Sequence, residues 1–332
     1  MADAHFARSG ARRVTHFAWG TLVYTGLVIL FGALVRITGS GAGCGQHWPT
    51  CKGEIAHLPT SLETAIELGH RVTSGLSFLV VVALVVAVRR VVDRSHVARR
   101  AARAALAFMI VEVVVGALLV LLSLVGSDDS VARAAVMGMH LVNTFLLMAA
   151  LALVARFIER PSIRLLDRPA AGWFLLVALA LLFVSMTGAV TALGDTVRPT
   201  TLESTLAQRF GDGYSTTAHF LDRLRGLHPA VAAAAAVLLV IASARLMEQF
   251  GAGTSGTLLR AALALTILQT AVGTLNIWLA APGWLQLVHL GLALTIWVVW
   301  ILSWAAAPAT ADWAPGPGLP EGPPPATPQG SR

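Results

Sequence analysis

Four of the ten histidines stand apart from the rest. His70, His140, His228 and His289 lie inside long apolar runs, where an ionisable side chain is costly and marks a functional position. The other six are His5, His16, His47, His57, His96 and His219. They fall in polar connections, in the terminal segment or at the edge of a run, and read as solvated or interfacial groups. Neutral imidazole is the commonest metal ligand among side chains, so four in apolar surroundings point first to a metal. Glu67 precedes His70 by three residues, a spacing that puts both on one helix face. A carboxylate there can move protons or stabilise positive charge developing on a substrate. It can equally be a helix-start acid favoured by the dipole, and the residue pattern leaves both open. The two cysteines, Cys44 and Cys51, enclose Gly45-Gln46-His47-Trp48-Pro49-Thr50 in a polar connection.

The elements that must position these groups follow from composition. Of 332 residues, 56% are hydrophobic and 12% charged, against about 25% charged in a soluble domain. Mean hydropathy is +0.73. A soluble enzyme, a disordered chain and a collagen-like repeat are excluded by these numbers. The net charge of +7 resides in short connections and does not point to nucleic acid. Eight apolar runs, at about 16–37, 66–88, 104–125, 135–155, 172–193, 226–244, 258–280 and 285–306, are each long enough to cross a bilayer as a helix. Helix is the required form because lipid offers no partner to free backbone groups, and strand alternation is lacking. The expected fold is therefore an all-α integral membrane protein with eight transmembrane helices. Sixteen of the 24 basic residues fall in one set of connections, including Arg12, Arg13, Arg89, Arg90 and Arg156. By the positive-inside rule both termini are cytoplasmic, and the connection from Cys44 to Cys51 faces the oxidising side. A disulfide is expected there, as a structural clip or a redox-active pair.

The runs divide into two similar sets of four. Gly32-Ala33-Leu34-Val35 matches Gly188-Ala189-Val190-Thr191, and the Glu112 stretch matches the Gln269 stretch. His70 matches His228, and His140 matches His289, at offsets of 158 and 149 residues. Four helices per set share one topology, so the expected architecture is two parallel-repeat four-helix bundles related by an axis along the membrane normal. The expected organisation is a cytoplasmic segment 1–15, an N-terminal half 16–157, a linker 158–171, a C-terminal half 172–306 and a disordered Pro/Gly/Ala-rich tail 307–332. All four histidines begin even-numbered spans and so sit at one depth.

Zinc wants four protein ligands, or three and a water; neither set supplies them. A haem iron needs only two axial ligands, and its apolar body suits a four-helix bundle. Each half is therefore expected to hold one haem, between His70 and His140 and between His228 and His289. Arg36, Arg71, Arg198, Arg223 and Arg225 are candidate partners for the propionates. Glu67 has Arg225 as its counterpart in the second half, so the two sites are expected to do different work. Glu112 reads as a polar contact within the bundle, with Asn143 and Asn276 as candidate partners.

These motifs resemble the haem A synthase family, the CtaA/COX15 proteins. The resemblance rests on Gly32-Ala33-Leu34-Val35-Arg36-Ile37-Thr38-Gly39-Ser40-Gly41, on Cys44 to Cys51 with Trp48-Pro49 between them, on Glu67-Leu68-Gly69-His70-Arg71, and on His140, His228 and His289. It covers about residues 16–306. Pro229 after the third histidine and Gly45-Gln46-His47 before Trp48 depart from the family pattern, as does Glu112. The resemblance implies oxidation of the C8 methyl group of haem O to a formyl group through successive hydroxylations, giving haem A for terminal oxidases. It implies that His70 and His140 flank the substrate haem O, with Arg36 and Arg71 binding it and Glu67 catalytic. His228 and His289 would ligate haem b, with Arg225 beside it, and Cys44 would pair with Cys51. Implied partners are haem O, the lipid bilayer, functional coupling to haem O synthase and to terminal oxidase assembly, and an electron acceptor the motifs leave open. The implied location is a bacterial cell membrane. The rival reading is a di-haem b-type membrane electron carrier without substrate chemistry.

Overall fold

The computed structural model describes residues 2–160, 165, 170–205 and 218–308, and the side chains of these from residue 10 onward. The expected disordered tail lies outside the described residues beyond Pro308, as does most of the expected linker. Eight long helices account for the described chain: α1 Ala2–Ile37, α2 Leu62–Val91, α3 Val97–Leu121, α4 Val131–Glu159, α5 Ala171–Val197, α6 Phe220–Phe250, α7 Gly253–Trp278 and α8 Gly283–Ala306. All eight are long and apolar enough to cross a membrane. A 3-10 turn, Ser40–Ala42, follows α1. Among the described residues there is no strand.

Helix ends are set by local chemistry that hydropathy does not register. Ser61 and Ser130 accept hydrogen bonds from the backbone N–H of Thr64 and Arg133, the N-cap arrangement that satisfies otherwise orphaned donors. The imidazole of His96 does the same for Ala98 and starts α3 seven residues before the apolar run. At the other end α3 stops at Leu121 because Ser123 takes a left-handed conformation, φ 57°. Likewise α7 stops at Trp278, ahead of Ala280 and Ala281 at φ 56° and 52°. The first helix runs unbroken from Ala2 into the first span. Pro229 lies inside α6; its missing N–H leaves the carbonyl of Arg225 without its helical donor.

In the first half α1 packs on α2 and α4, α2 on α3, and α3 on α4; in the second α5 packs on α6 and α8, α6 on α7, and α7 on α8. Contacts between the halves run from α4 to α5 and α8, and from α1 to α5 and α8. α4 is the central element: 72% of its apolar window is buried, against 17–33% in the other seven. Outward faces carry Leu27, Leu79, Val237 and Ile267 in the open, as lipid-facing surface requires.

Three tryptophans of α8 lock the centre. The indole N–H of Trp297 donates to the carbonyl of Phe145 on α4, that of Trp300 to Phe174 on α5 at 3.0 Å, and that of Trp304 to Leu165 at 3.0 Å. The Phe174 ring stacks on Trp304, with centroids 5.7 Å apart. Each indole thus fills core volume and finds a partner for its single donor. Replacing fully buried Trp300 with Phe removes one such bond and some volume. It should cost about 1–3 kcal/mol, read as a lowered thermal midpoint in detergent, whereas Trp284→Phe at an exposed position should leave the midpoint unchanged.

Candidate haem-ligand sites and the disulfide loop

Each site histidine but one lies against a helix that gives it room. An added Cβ on Gly32 of α1 would sit 2.9 Å from Cε1 of His70 on α2. On Gly188 of α5 it would sit 3.1 Å from Cε1 of His228 on α6. On Gly273 of α7 it would sit 3.0 Å from Cε1 of His289 on α8. At such distances an alanine would force the ring to give way, so glycine at these positions lets an imidazole lie close against the neighbouring helix. His140 is different. Position 116 of α3 has open space, and the His140 ring instead meets Glu112, with Nδ1 2.7 Å from Oε2.

The structure brings His228 and His289 together: their ring centroids are 6.5 Å apart and their planes lie at 88°. A metal–imidazole bond is about 2 Å and the ring centre about 1 Å beyond the nitrogen, so two imidazoles trans on one iron have centroids roughly 6 Å apart. The separation is within the range of two ligands on one metal. Nδ1 of His228 contacts the Thr187 hydroxyl at 3.0 Å, which orients the ring and leaves Nε2 for a metal. Nδ1 of His70, of His140 and of His289 are buried with no hydrogen-bond partner, the Glu112 carboxylate lying against that of His140 as an ion-pair contact. Among the described residues no group of three or more His, Cys, Asp or Glu is placed to hold a bare metal ion. Where Thr187 meets His228, the first half has Phe31, whose ring meets His70 edge-on at 5.6 Å.

Cys44 and Cys51 form a disulfide, S–S 2.02 Å, and both are buried. The loop is anchored on the first turns of α2. Thr64 Oγ1 donates to the carbonyl of Gly43 at 2.9 Å, and a Cβ on Gly43 would strike the backbone of Glu63 and Thr64 at 2.7 Å. Glu67, 3% exposed, accepts the Cys44 N–H on Oε2 at 2.7 Å. Its Oε1 is held by Arg71, through Nε at 3.1 Å and through Nη2. Arg71 Nη1 also donates to the carbonyls of His47 and Thr50. One ion pair, formed by residues just before and just after His70, thus ties disulfide, loop and helix together, a link that spacing alone did not reveal.

The remaining arginines fall elsewhere. Arg36 reaches into the other half, where Nη1 donates to the Ala192 carbonyl and the Thr196 hydroxyl, and Nη2 to Gln286 Oε1 at 2.8 Å. Arg225 Nε binds Asp195 at 3.0 Å, and its Nη2 binds the carbonyl of Arg198 at 2.7 Å. Arg198 pairs with Asp222 at 2.9 Å, while Asp129, from the connection before α4, lies 3.5 Å from His219 and 4.0 Å from Arg198. Asn143 does pair with Glu112, at 2.7 Å. Asn276 does not, and its Oδ1 has no partner.

The family model for COX15-CtaA, described as cytochrome oxidase assembly protein, matches residues 15–301. The chain belongs to this family. A protoheme IX farnesyltransferase of Thermus thermophilus is 43% identical over 293 residues, covering 87% of this chain and 47% of that protein. Its counterpart in a second strain of the same species is equally similar. A heme A synthase of Bacillus cereus is 53% identical over 58 residues, 18% of this chain and 19% of that protein. The chain thus spans about half the length of the Thermus relatives. Family and eight apolar spans together make it a multi-pass, haem-related membrane protein.

Gly188→Ala should push the His228 ring aside and lower absorbance in the Soret band of the purified protein by at least half, while Gly116→Ala, at an open position, should leave it unchanged.

Proposed function

We propose that the protein is a haem A synthase, a membrane oxidoreductase that converts the C8 methyl group of haem O to a formyl group. The observation that carries this reading is the 6.5 Å separation of the His228 and His289 imidazoles, a spacing suited to a macrocycle, in a chain of the COX15-CtaA family. In this reading residues 16–157 form the substrate half and 172–306 the haem b half, related as parallel repeats. The matched contacts Gly32–His70 and Gly188–His228 support that relation. His228 and His289 hold haem b, which supplies one-electron transfer when bound. His70 and His140 flank haem O as substrate.

The chain's own residues then have distinct tasks. Gly32 and Gly188 set the imidazoles against their neighbouring helices. Thr187 orients His228. Glu67 provides the carboxylate of the substrate half; Arg71 and the Cys44 N–H fix its position one turn before His70, so it serves as a fixed negative charge rather than a mobile one. Arg71 and Arg36 serve the propionate end of the substrate and Arg225 that of haem b, alongside the bonds they make to protein. The buried disulfide closes the loop above this end of the bundle. Both termini lie in the cytoplasm of a bacterial cell and the loop faces outward, as the distribution of basic residues supports. A relative about twice the length, named for farnesyl transfer to protoheme, supports functional coupling to haem O synthase, with terminal oxidase assembly downstream.

Coexpression with a haem O synthase, followed by extraction of bound pigment, tests the reading. The wild type should yield haem A or its intermediates besides haem b. His70→Ala and His140→Ala should abolish haem A and keep haem b, whereas His228→Ala and His289→Ala should lose the retained haem b. Glu67→Gln should reduce haem A formation to background with the b-type spectrum retained. Recovery of a single b-type pigment from the wild type, with Glu67→Gln leaving electron transfer intact, would establish the electron-carrier reading instead.

A further inference from the structure

The two halves treat their last histidine differently. On α3, Glu112 is braced by one stretch of α4: its Oε1 accepts from Asn143 Nδ2 at 2.7 Å and from Thr144 Oγ1 at 3.0 Å. Asn143 Nδ2 is itself fixed by the Phe108 carbonyl at 2.9 Å. The brace leaves Oε2 turned to the His140 imidazole, 2.7 Å from Nδ1. These partners stand three and four residues after His140, one helical turn. The corresponding places after His289 hold Leu292 and Ala293, which can brace nothing. Position 112 is matched by Gln269, an uncharged amide whose Nε2 lies 3.3 Å from Nε2 of His289 and whose Oε1 is buried without a partner. The first half thus has a built carboxylate–imidazole pair, and the second has an unbraced amide against a ring.

We infer that Glu112 is a positioning residue that acts through His140 to make the iron site of the first half easier to oxidise than that of the second. This rests on the haem-ligand reading of the four histidines. The physical reason is general. A carboxylate lying against a metal-bound imidazole places negative charge near the iron, and in an apolar bundle that charge stabilises the higher oxidation state of the metal. An amide carries no such charge. An electron passing from the first site to the second then runs downhill; the first iron is oxidised and the second reduced, with no bond or proton exchanged. The direction matches the tasks proposed for the halves, since electrons removed during substrate oxidation in the first must leave through the second.

The test is a spectroscopic redox titration of the purified full-length protein, with Glu112→Gln and the reciprocal Gln269→Glu. His228→Ala, which keeps only the first-half haem, assigns the two transitions. Glu112→Gln should shift the reduction equilibrium of the first-half haem about tenfold toward the reduced form, 59 mV for one electron, and leave the second unmoved. Gln269→Glu should shift the second-half haem the opposite way. An unchanged midpoint in Glu112→Gln with both haems bound would overturn the inference. Should Glu112→Gln fail to retain the first haem, the Gln269→Glu midpoint decides, and no shift there overturns it. A wild type with no bound haem would instead overturn the underlying ligand reading.

Discussion

An imidazole inside an apolar helical bundle must be given both space and a reason to stay, and the rest of this molecule is arranged around that need. Glycine supplies the space at positions 32, 188 and 273, where a Cβ would crowd a histidine ring at 2.9–3.1 Å. The helices can then approach closely enough to bring His228 and His289 within 6.5 Å, centroid to centroid. Polar neighbours supply the rest: Thr187 for His228, Glu112 for His140. In lipid these few contacts matter more than their number suggests, because an unpartnered polar group has no water to fall back on.

The bundle that carries these sites is held by a different device. α8 sends three indole donors into backbone carbonyls on α4, on α5 and at Leu165. Helix association in a membrane lacks the hydrophobic drive available in water and depends on close packing and hydrogen bonds. Large aromatic side chains with one donor each meet both conditions. The central position of α4, packed on both sides, follows from its small residues Ala149, Ala150, Ala152 and Ala155, all buried.

Much of this was legible in the residues. Eight apolar runs predicted eight helices, because length and hydropathy suffice where lipid permits little else. The Glu112–Asn143 contact was also readable, since intramembrane polar residues have few places to go. What the pattern did not carry was direction. The start of α3 lies seven residues ahead of its apolar run, because caps such as His96 and left-handed turns such as Ser123 carry no hydropathy signal. Glu67 could be placed on one face with His70, but its two oxygens go to the Cys44 N–H and to Arg71, contacts between a loop and a helix that no periodicity encodes. Arg36, read as an anchor for a propionate, also bridges the halves, because the partner residues lie some 156 to 250 positions away.

That bridge bears on how the chain is put together. Among the described residues the guanidinium of Arg36 finds its acceptors on α5 and α8, which emerge from the ribosome long after α1 has entered the bilayer. Until they arrive, the first four helices carry a cation with no native counterpart. A gene severed between α4 and α5 would therefore encode two fragments, one holding this guanidinium and the other its acceptors.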